Sequence, residues 1–293
     1  MRIGYPCVNL GIGCTSARTF RLRSYSAALL QEKLAGNLDC LRDTLDWNAA
    51  RGILFFRITS DLVPFASHPV CRFDWRRRFK RDLAGIGARI RRKRMRVSMH
   101  PDQFTLINSP DRGIFLRSVR ELRYHAELLD AMELGASAKL QIHVGGVYGD
   151  REAAMRCFVS RYRELPPAVR RRLVIENDER CWPLADCLAI HRHTGVPVVC
   201  DVFHHQILNR GETVAEALRL AAKTWGRRDG PPIVDFSAQA PGKRPGTHAA
   251  SLPPAAFKRF LDDARPLDLD LMLEIKDKER SALRALRIVS APR

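Results

Sequence analysis

Short runs of β-branched and apolar residues alternate along the chain with longer segments that have helical spacing. This alternation is typical of β-α-β units and a parallel sheet. Eight strands are predicted: Ile3 to Asn9, Phe55 to Ser60, Arg96 to His100, Leu140 to Gly145, Leu173 to Asn177, Val198 to Val202, Ile233 to Ser237 and Leu271 to Lys276. Eight strand-helix pairs without a proline-rich or serine-rich linker predict one (β/α)8 barrel, a TIM barrel, over residues 1–293.

One crossover helix is predicted between the third and fourth strands. Its apolar residues at helical spacing are Leu116, Val119, Leu122, Leu128, Leu129 and Met132. At 3.6 residues per turn, such positions share one face of a helix. The segment therefore predicts a helix with an apolar face.

Polar side chains lie at the carboxyl ends of nearly all the predicted strands. The active site of a (β/α)8 barrel lies at this end, where the strands converge on one mouth. The residues are Asn9, His100, His143, Glu176, Asp201, His204, Asp235 and Glu274, and His248 follows a flexible, cationic loop. We expect these side chains to share one site.

The combination of imidazole and carboxylate groups indicates a metal site. Such mixed donors suit zinc, manganese or iron, whereas calcium and magnesium sites are built mostly from oxygen ligands. Taken singly, each residue has an ordinary alternative, because a His or Glu at a strand end can cap a helix or pair with an arginine. Their coincidence on several strands favours the metal site.

The chain carries a large excess of positive charge. Fifty Lys and Arg residues stand against 32 Asp and Glu, which gives a formal charge of +18. Such a charge attracts a polyanion such as nucleic acid, although an arginine-rich proteome gives the same composition. Candidate phosphate contacts in loops at the catalytic face are Lys243, Arg244, Arg18, Arg21 and Arg23.

Eight cysteines are scattered along the chain without a Cys-x-x-Cys pair. This pattern argues against a zinc ribbon and against a compact disulfide framework, and it fits a reducing cytoplasm. The chain shows no charged and apolar leader and no apolar run of the roughly 20 residues needed to span a bilayer. We expect a cytoplasmic protein with no membrane partner and no obligate protein partner.

Several longer motifs resemble the ultraviolet damage endonuclease family, which shares its barrel with the endonuclease IV group. The matching segments are Gly4-Tyr5 with Asn9, Arg57 to Pro64, Ser67 to Pro69, Ser98 to Phe104, Gln141 to Asp150, Glu176 to Asp178, Asp201 to His205 and Met272 to Glu279. They cover nearly the whole chain. The resemblance implies an ATP-independent endonuclease that nicks DNA immediately 5′ of a pyrimidine dimer or other lesion and leaves 3′-hydroxyl and 5′-phosphate ends.

The resemblance also implies up to three divalent ions, typically manganese, with zinc or magnesium as alternatives. Glu176 looks like a carboxylate that bridges two ions. On this reading the ligands on one side of Glu176 are His100 and His143, and those on the other side are Asp201, Asp235 and Glu274. The ligands of a third ion are His204 and His248. The catalytic residues would be Glu176, Glu274 and Asp201.

Recognition of damaged double-stranded DNA would use other residues. Gln103 and Phe104 look like the family's wedge pair, although Phe104 has the alternative of a core aromatic residue. Tyr5 and Asn9 resemble partners that hold the opened duplex. His68 is either a phosphate contact near the cut or an incidental loop residue.

One departure from the family concerns the seventh strand, where some members have Lys-x-His and this chain has Ile233-Val234-Asp235. An aspartate replaces a neutral imidazole, which changes the charge and bears on the metal preference. Two other functions remain open. One is a metal-dependent sugar isomerase or epimerase with the same barrel, and the other is a non-catalytic protein that binds damaged DNA.

Overall fold

A closed barrel of eight parallel strands forms the centre of the molecule in the computed structural model, which describes residues 1–291. The strands, β1 to β8 in chain order, are Ile3–Pro6, Phe55–Ile58, Arg96–Met99, Lys139–His143, Leu173–Glu176, Val198–Asp201, Ile233–Phe236 and Asp270–Leu273. Each pairs with its neighbour in sequence, and β8 pairs with β1 to close the barrel. The predicted (β/α)8 barrel is confirmed, and strand ends differ from the predicted ones by one to three residues.

Helices fill the segments between the strands. In chain order α1 to α11 are Ala27–Ala50, Trp75–Arg78, Lys80–Arg92, Arg112–Ala131, Arg151–Glu164, Pro167–Arg170, Leu184–Thr194, Val202–Ile207, Val214–Ala222, Pro254–Asp263 and Glu279–Ser290. Short 3-10 helices lie at Leu22–Ser24, Ser60–Leu62 and Arg227–Asp229. None of the helices within residues 1–291 combines the length and apolar character that crossing a bilayer requires.

Helix α4 is the crossover helix that the apolar spacing predicted, and of the predicted apolar positions only Leu116 lies on its exposed side. Leu116 is 44% exposed, while the preceding residue, Phe115, is buried. The buried stripe runs through Phe115, Leu122 and Leu129 at seven-residue intervals, close to two helical turns. The assignment of Leu116 to the apolar face was therefore wrong.

An apolar plug fills the barrel interior beneath the mouth. It consists of Phe55, Val174, Val199, Ile233 and Met272, each at most 1% exposed. Because side chains alternate along a strand, the residues two positions later project into the same interior, one layer nearer the mouth. Those residues are Arg57, Glu176, Asp201, Asp235 and Glu274. The plug is thus the floor beneath the polar residues.

Ion pairs close the opposite end of the barrel. Arg96 on β3 lies 3.0 Å from Asp270 on β8, and Lys139 on β4 pairs with Asp229 in the segment before β7. Arg96 also donates to the Pro231 carbonyl at 2.5 Å. Buried charges are tolerated when they are paired in this way.

A disulfide joins Cys14, in the loop after β1, to Cys40 in α1. The other six cysteines are free, so no multi-disulfide framework forms. The spacing of the cysteines did not predict the single bridge, because its partners are brought together by the fold. This bridge is unusual for the reducing compartment that the cysteine pattern suggested.

Candidate metal centre

Two groups of metal-ligating side chains share Glu176 at the barrel mouth. One group is His100, His143 and Glu176, and the other is Glu176, Asp201 and His204. Within each group, one potential ligand atom from every residue lies within 4.8 Å of the others. Glu176 therefore stands between two candidate cation sites.

The two oxygens of the Glu176 carboxylate face different groups. Its Oε2 lies 3.2 Å from His100 Nε2 and 3.7 Å from His143 Nε2, whereas Oε1 lies 3.3 Å from His204 Nδ1. His204 thus joins the second group, beside Asp201. The resemblance had assigned it to a third ion.

The turn from β6 into α8 positions Asp201 and His204. Asp201 ends β6 and caps α8, because its Oδ1 accepts a hydrogen bond from the backbone N–H of His204 at 2.8 Å. Its other oxygen, Oδ2, is buried and has no hydrogen-bond partner among the described residues. A buried carboxylate oxygen without a partner is costly, so this atom fits a cation ligand.

Neighbouring residues in the cluster stabilise a negative charge on Glu176 and a positive charge on His204. Burial opposes ionisation of Glu176, but the nearby His143, His100 and His204 hold its pKa well below the usual value. Burial also disfavours the charged form of His204, but Asp201 and Glu176 raise its pKa to about 11. Burial raises the pKa of Asp201 well above its usual value, and Glu176 adds to this effect. The cluster thus attracts positive charge.

Arg57 and Gln141 link the remaining carboxylates, and both belong to strands. Arg57 donates to Asp235 at 2.7 Å and contacts Glu274, while Gln141 donates to Asp235 at 2.6 Å. The sequence motifs included Arg57 and Gln141 without giving them a role. The available signal was that Arg57 lies two residues after Phe55 on a buried strand.

Asp235 is held by Arg57 and Gln141 and belongs to neither ligand group. Burial raises its pKa to about 7, although Arg57 acts in the opposite direction. Its Oδ1 is buried and has no hydrogen-bond partner among the described residues, as is the case for Asp201 Oδ2, so its role as a metal ligand stays a prediction.

Glu274 and His248 lie beside the two groups. His248 Nδ1 is 2.8 Å from the Glu274 carbonyl oxygen and 2.9 Å from Ser237 Oγ. The His248 ring centroid lies 6.2 Å from that of His204. Both residues reach the mouth, and their roles as ligands stay predictions.

Tyr5 and Asn9 occupy a different position from the one expected for DNA contacts. Tyr5 is 0% exposed; its ring packs against Phe56, and its hydroxyl donates to Asn48 Oδ1 at 2.7 Å. Asn9 is also buried and donates to the Tyr5 hydroxyl at 2.8 Å. Since Asn48 lies in α1, the Tyr5 side chain points outward to that helix instead of to the mouth. In this structure neither side chain is available to a duplex.

Gln103 and Phe104 lie in the loop that follows β3. Both are exposed, and Phe104 is 72% exposed, which excludes the alternative of a core aromatic residue. The loop is stabilised by Asp102, whose carboxylate accepts from the Phe104 N–H at 2.8 Å. His100 directly follows the same strand, so the loop that carries Phe104 begins at a residue of the candidate metal centre.

Basic side chains near the mouth differ in their availability. His68 is exposed and lines a surface cavity of about 400 Å³ with Phe104. Lys243 and Arg244 are exposed in the loop before His248. Arg18, by contrast, donates to the carbonyls of Thr15 and Gly36 and is a structural residue instead of a free phosphate contact.

Comparison with known proteins identifies close relatives. The model of the family described as UV-endonuclease UvdE matches residues 1–291. A UV DNA damage endonuclease from Clostridium perfringens is 35% identical over 288 residues, which cover 98% of this chain and 70% of the relative. One from Bacillus cereus (strain Q1) is 31% identical over 303 residues and covers 100% of this chain and 96% of the relative.

Solved structures agree with this relationship. The crystal structure of SacUVDE has a TM-score of 0.94 and 41% identity, with 99% of this chain and 98% of that chain covered. Endonuclease IV from Thermus thermophilus has a TM-score of 0.60 at 17% identity, with coverage of 98% and 97%, and so shares only the fold. On the family match and these relatives, the chain belongs to the UvdE family of UV endonucleases.

Proposed function

We propose that this chain is a metal-dependent DNA repair endonuclease. It nicks the phosphodiester backbone immediately 5′ of ultraviolet photolesions, without ATP, and leaves 3′-hydroxyl and 5′-phosphate ends. The observation that carries this proposal is Glu176, whose two carboxylate oxygens face two groups of His and Asp ligands. Family membership supplies the class of substrate.

Divalent ions, most suitably manganese, would be held by His100 and His143 on one side and by Asp201 and His204 on the other, with Glu176 between them. When bound, such ions activate water and stabilise the charge on the phosphoryl and leaving oxygens. The partnerless Oδ2 of Asp201 supports this fit. No side-chain nucleophile is needed.

Neighbouring side chains orient these ligands. Gln141 donates to Glu176 Oε2 at 2.7 Å, and the Asp201 N–H donates to Asn177 Oδ1 at 2.9 Å. Such outer partners fix the rotamers of metal ligands, and their loss weakens metal binding by roughly 10- to 100-fold. Of the catalytic residues, Glu176 therefore has its carboxylate oriented by Gln141, Asp201 has its backbone fixed by Asn177, and Glu274 is restrained by Arg57.

Damaged duplex DNA is the partner. A lesion lowers the cost of unstacking, and the exposed Gln103 and Phe104 are suited to enter the gap that opens. Lys243, Arg244 and His68 are suited to contact phosphates near the mouth. The formal charge of +18 steers the duplex toward the protein and makes binding sensitive to salt.

A duplex with one cyclobutane dimer and a labelled end tests the function. The protein is incubated with it in manganese, in magnesium or with a chelator, and an undamaged duplex is the control. We expect a single product whose length ends immediately 5′ of the dimer, and no product with chelator. A cut 3′ of the dimer, or isomerisation of a sugar without any nicking, would contradict the proposal.

A further inference from the structure

A cavity of about 410 Å³ lies at the end of the barrel opposite the mouth. Its walls come from the residue before β1, the end of α3, the start of β3 and the segments that precede β4 and β7. The apolar plug lies between this end of the barrel and the candidate metal centre. The volume falls within the roughly 300–1,000 Å³ of small-molecule sites, so the cavity has room for a ligand of its own.

Arginines dominate the polar lining of this cavity. Within residues 1–291 the lining includes no carboxylate and five arginines, namely Arg2, Arg91, Arg96, Arg227 and Arg228. Among the described residues, the carboxylates that pair with these arginines are Asp270 and Glu133. Five cations against two carboxylates leave a formal excess of three positive charges, which favours an anionic ligand.

Arg96 shapes the cavity and offers no open donor. It is 5% exposed, and its guanidinium donates to the carbonyls of Ser137 and Asp229 at 3.1 and 2.6 Å. It also pairs with Asp270 at 3.0 Å. These contacts tie β3 to the segments before β4 and β7, so the walls of the cavity are held in place before any ligand binds.

Arg227 and Arg228 offer open donors. Both side chains are exposed, and neither forms an ion pair or a side-chain hydrogen bond within the described part of the chain. Arg2 uses its Nε and Nη1 for the Arg94 carbonyl and Asp270, which leaves its Nη2 open. Guanidinium groups bind phosphate oxygens through pairs of N–H donors, so these three arginines are suited to hold a phosphate group.

The remainder of the cavity has an apolar wall, formed by Ile90, Met95, Val97, Leu134, Ala138 and Pro231. Small-molecule sites combine such apolar surface with a few charged groups. Inorganic phosphate alone would leave this wall in contact with water. The lining therefore fits a molecule that has both a phosphate group and an organic part.

We propose that this cavity binds a small phosphate-bearing organic molecule of about the size of a nucleotide. Its phosphate is held by Arg227, Arg228 and Arg2, and its organic part lies against the apolar wall. The site is separate from the proposed endonuclease function, because a duplex held at the mouth does not reach the opposite end of the barrel.

Binding of AMP tests this inference. Isothermal titration calorimetry on the full chain compares AMP with inorganic phosphate, which lacks the organic part, and with adenosine, which lacks the phosphate. We expect one AMP per chain and weaker binding of the other two. Glu176→Gln, which alters the candidate metal centre, should bind AMP as tightly as the wild type does.

A double variant tests the arginines. Arg227→Ala combined with Arg228→Ala should lower the affinity for AMP by roughly tenfold or more. Arg77→Ala combined with Arg78→Ala is the matched control, because these consecutive exposed arginines lie on α2, outside the cavity. The control loses the same charge and should keep the wild-type affinity. Thermal unfolding measured by circular dichroism shows that each variant folds.

The absence of AMP binding in the wild type, equal affinity for AMP and adenosine, or an equal loss in the double variant and its control would overturn the inference. Loss of AMP binding in Glu176→Gln would place AMP at the metal centre and overturn it as well. A wild-type chain that binds AMP but does not nick the dimer-containing duplex would support the inference and refute only the proposed endonuclease function.

Discussion

The side chain of Asn177 and the backbone of Asp201 form two hydrogen bonds across neighbouring strand ends. Asn177 Oδ1 accepts from the Asp201 N–H at 2.9 Å, and Asn177 Nδ2 donates to the Asp201 carbonyl at 3.0 Å. Both residues are fully buried. Asn177 thus fixes the backbone from which the Asp201 carboxylate projects.

Asn177→Ala is expected to lower stability and metal affinity together. The change leaves a buried N–H and a buried carbonyl unpaired, at about 1–3 kcal/mol for each group. Urea unfolding measures the loss, and manganese titration should show roughly 10- to 100-fold weaker binding. The exposed Asn209→Ala is the control, and equal metal affinity in Asn177→Ala and wild type would refute the positioning role.

Glu176→Gln should abolish nicking while binding to damaged duplex is retained. The variant keeps the shape of the side chain but removes the charge that faces both ligand groups. Loss of several kcal/mol of transition-state stabilisation corresponds to a decrease on the order of 10³-fold in the nicking rate. Gel shift and single-turnover nicking measure the two properties. Residual nicking within tenfold of the wild-type rate would argue against a bridging role.

Phe104→Ala should weaken binding to the damaged duplex without affecting folding. Because Phe104 is 72% exposed, its removal creates no cavity. Loss of stacking on a base costs about 1–3 kcal/mol, which is roughly a 5- to 150-fold decrease in affinity. Fluorescence anisotropy measures binding, and Leu116→Ala removes another exposed apolar side chain as a control. Unchanged affinity would show that Phe104 does not contact the lesion.

Replacing both Cys14 and Cys40 by serine is expected to destabilise the protein by about 3 kcal/mol. The disulfide closes a loop with a sequence separation of 26, and its loss restores freedom to the unfolded chain. Denaturant unfolding measures the change. Cys157→Ser removes a free thiol and is the control. A double variant as stable as wild type would mean that the bridge contributes nothing.

The ion pairs of Asp130 predict how stability depends on pH at the outer surface of α4. Burial alone would raise the pKa of Asp130, but Arg172 and Arg171 hold it below its usual value. This contribution is therefore complete above the unfolded pKa of about 4 and is lost as the pH falls through the lower folded pKa.

The stability difference between wild type and Asp130→Asn should accordingly be larger at pH 7 than at about pH 3. Urea unfolding at several pH values measures it. Asp43→Asn, which removes an exposed carboxylate, controls for the general effect of charge. A difference that grows toward acid would contradict the prediction.

The order of elements could be read from the sequence because strand and helix periods differ strongly. The direction in which individual side chains point could not be read from the sequence. Gly4 and Tyr5 are adjacent, and an error of one residue in the parity of β1 exchanges core and mouth. The outward direction of Tyr5 became visible only from its contacts with Phe56 and Asn48.

The two ligand groups could be predicted in part from the order of the strands. His143, Glu176 and Asp201 end consecutive strands and His100 directly follows the strand before them, so their convergence follows from barrel geometry. The pairing of Asp235 with Arg57 joins β7 to β2 across the interior, 178 positions apart in sequence. No local pattern encodes which carboxylate receives a guanidinium and which remains open to a metal ion.

Within residues 1–291, the apolar plug and the Arg96–Asp270 and Lys139–Asp229 ion pairs block the end of the barrel opposite the mouth. Water and, under the proposed function, the DNA strand would therefore reach Glu176 through the mouth. A DNA duplex bound over the mouth would limit the exchange of water around Glu176 with the bulk solvent.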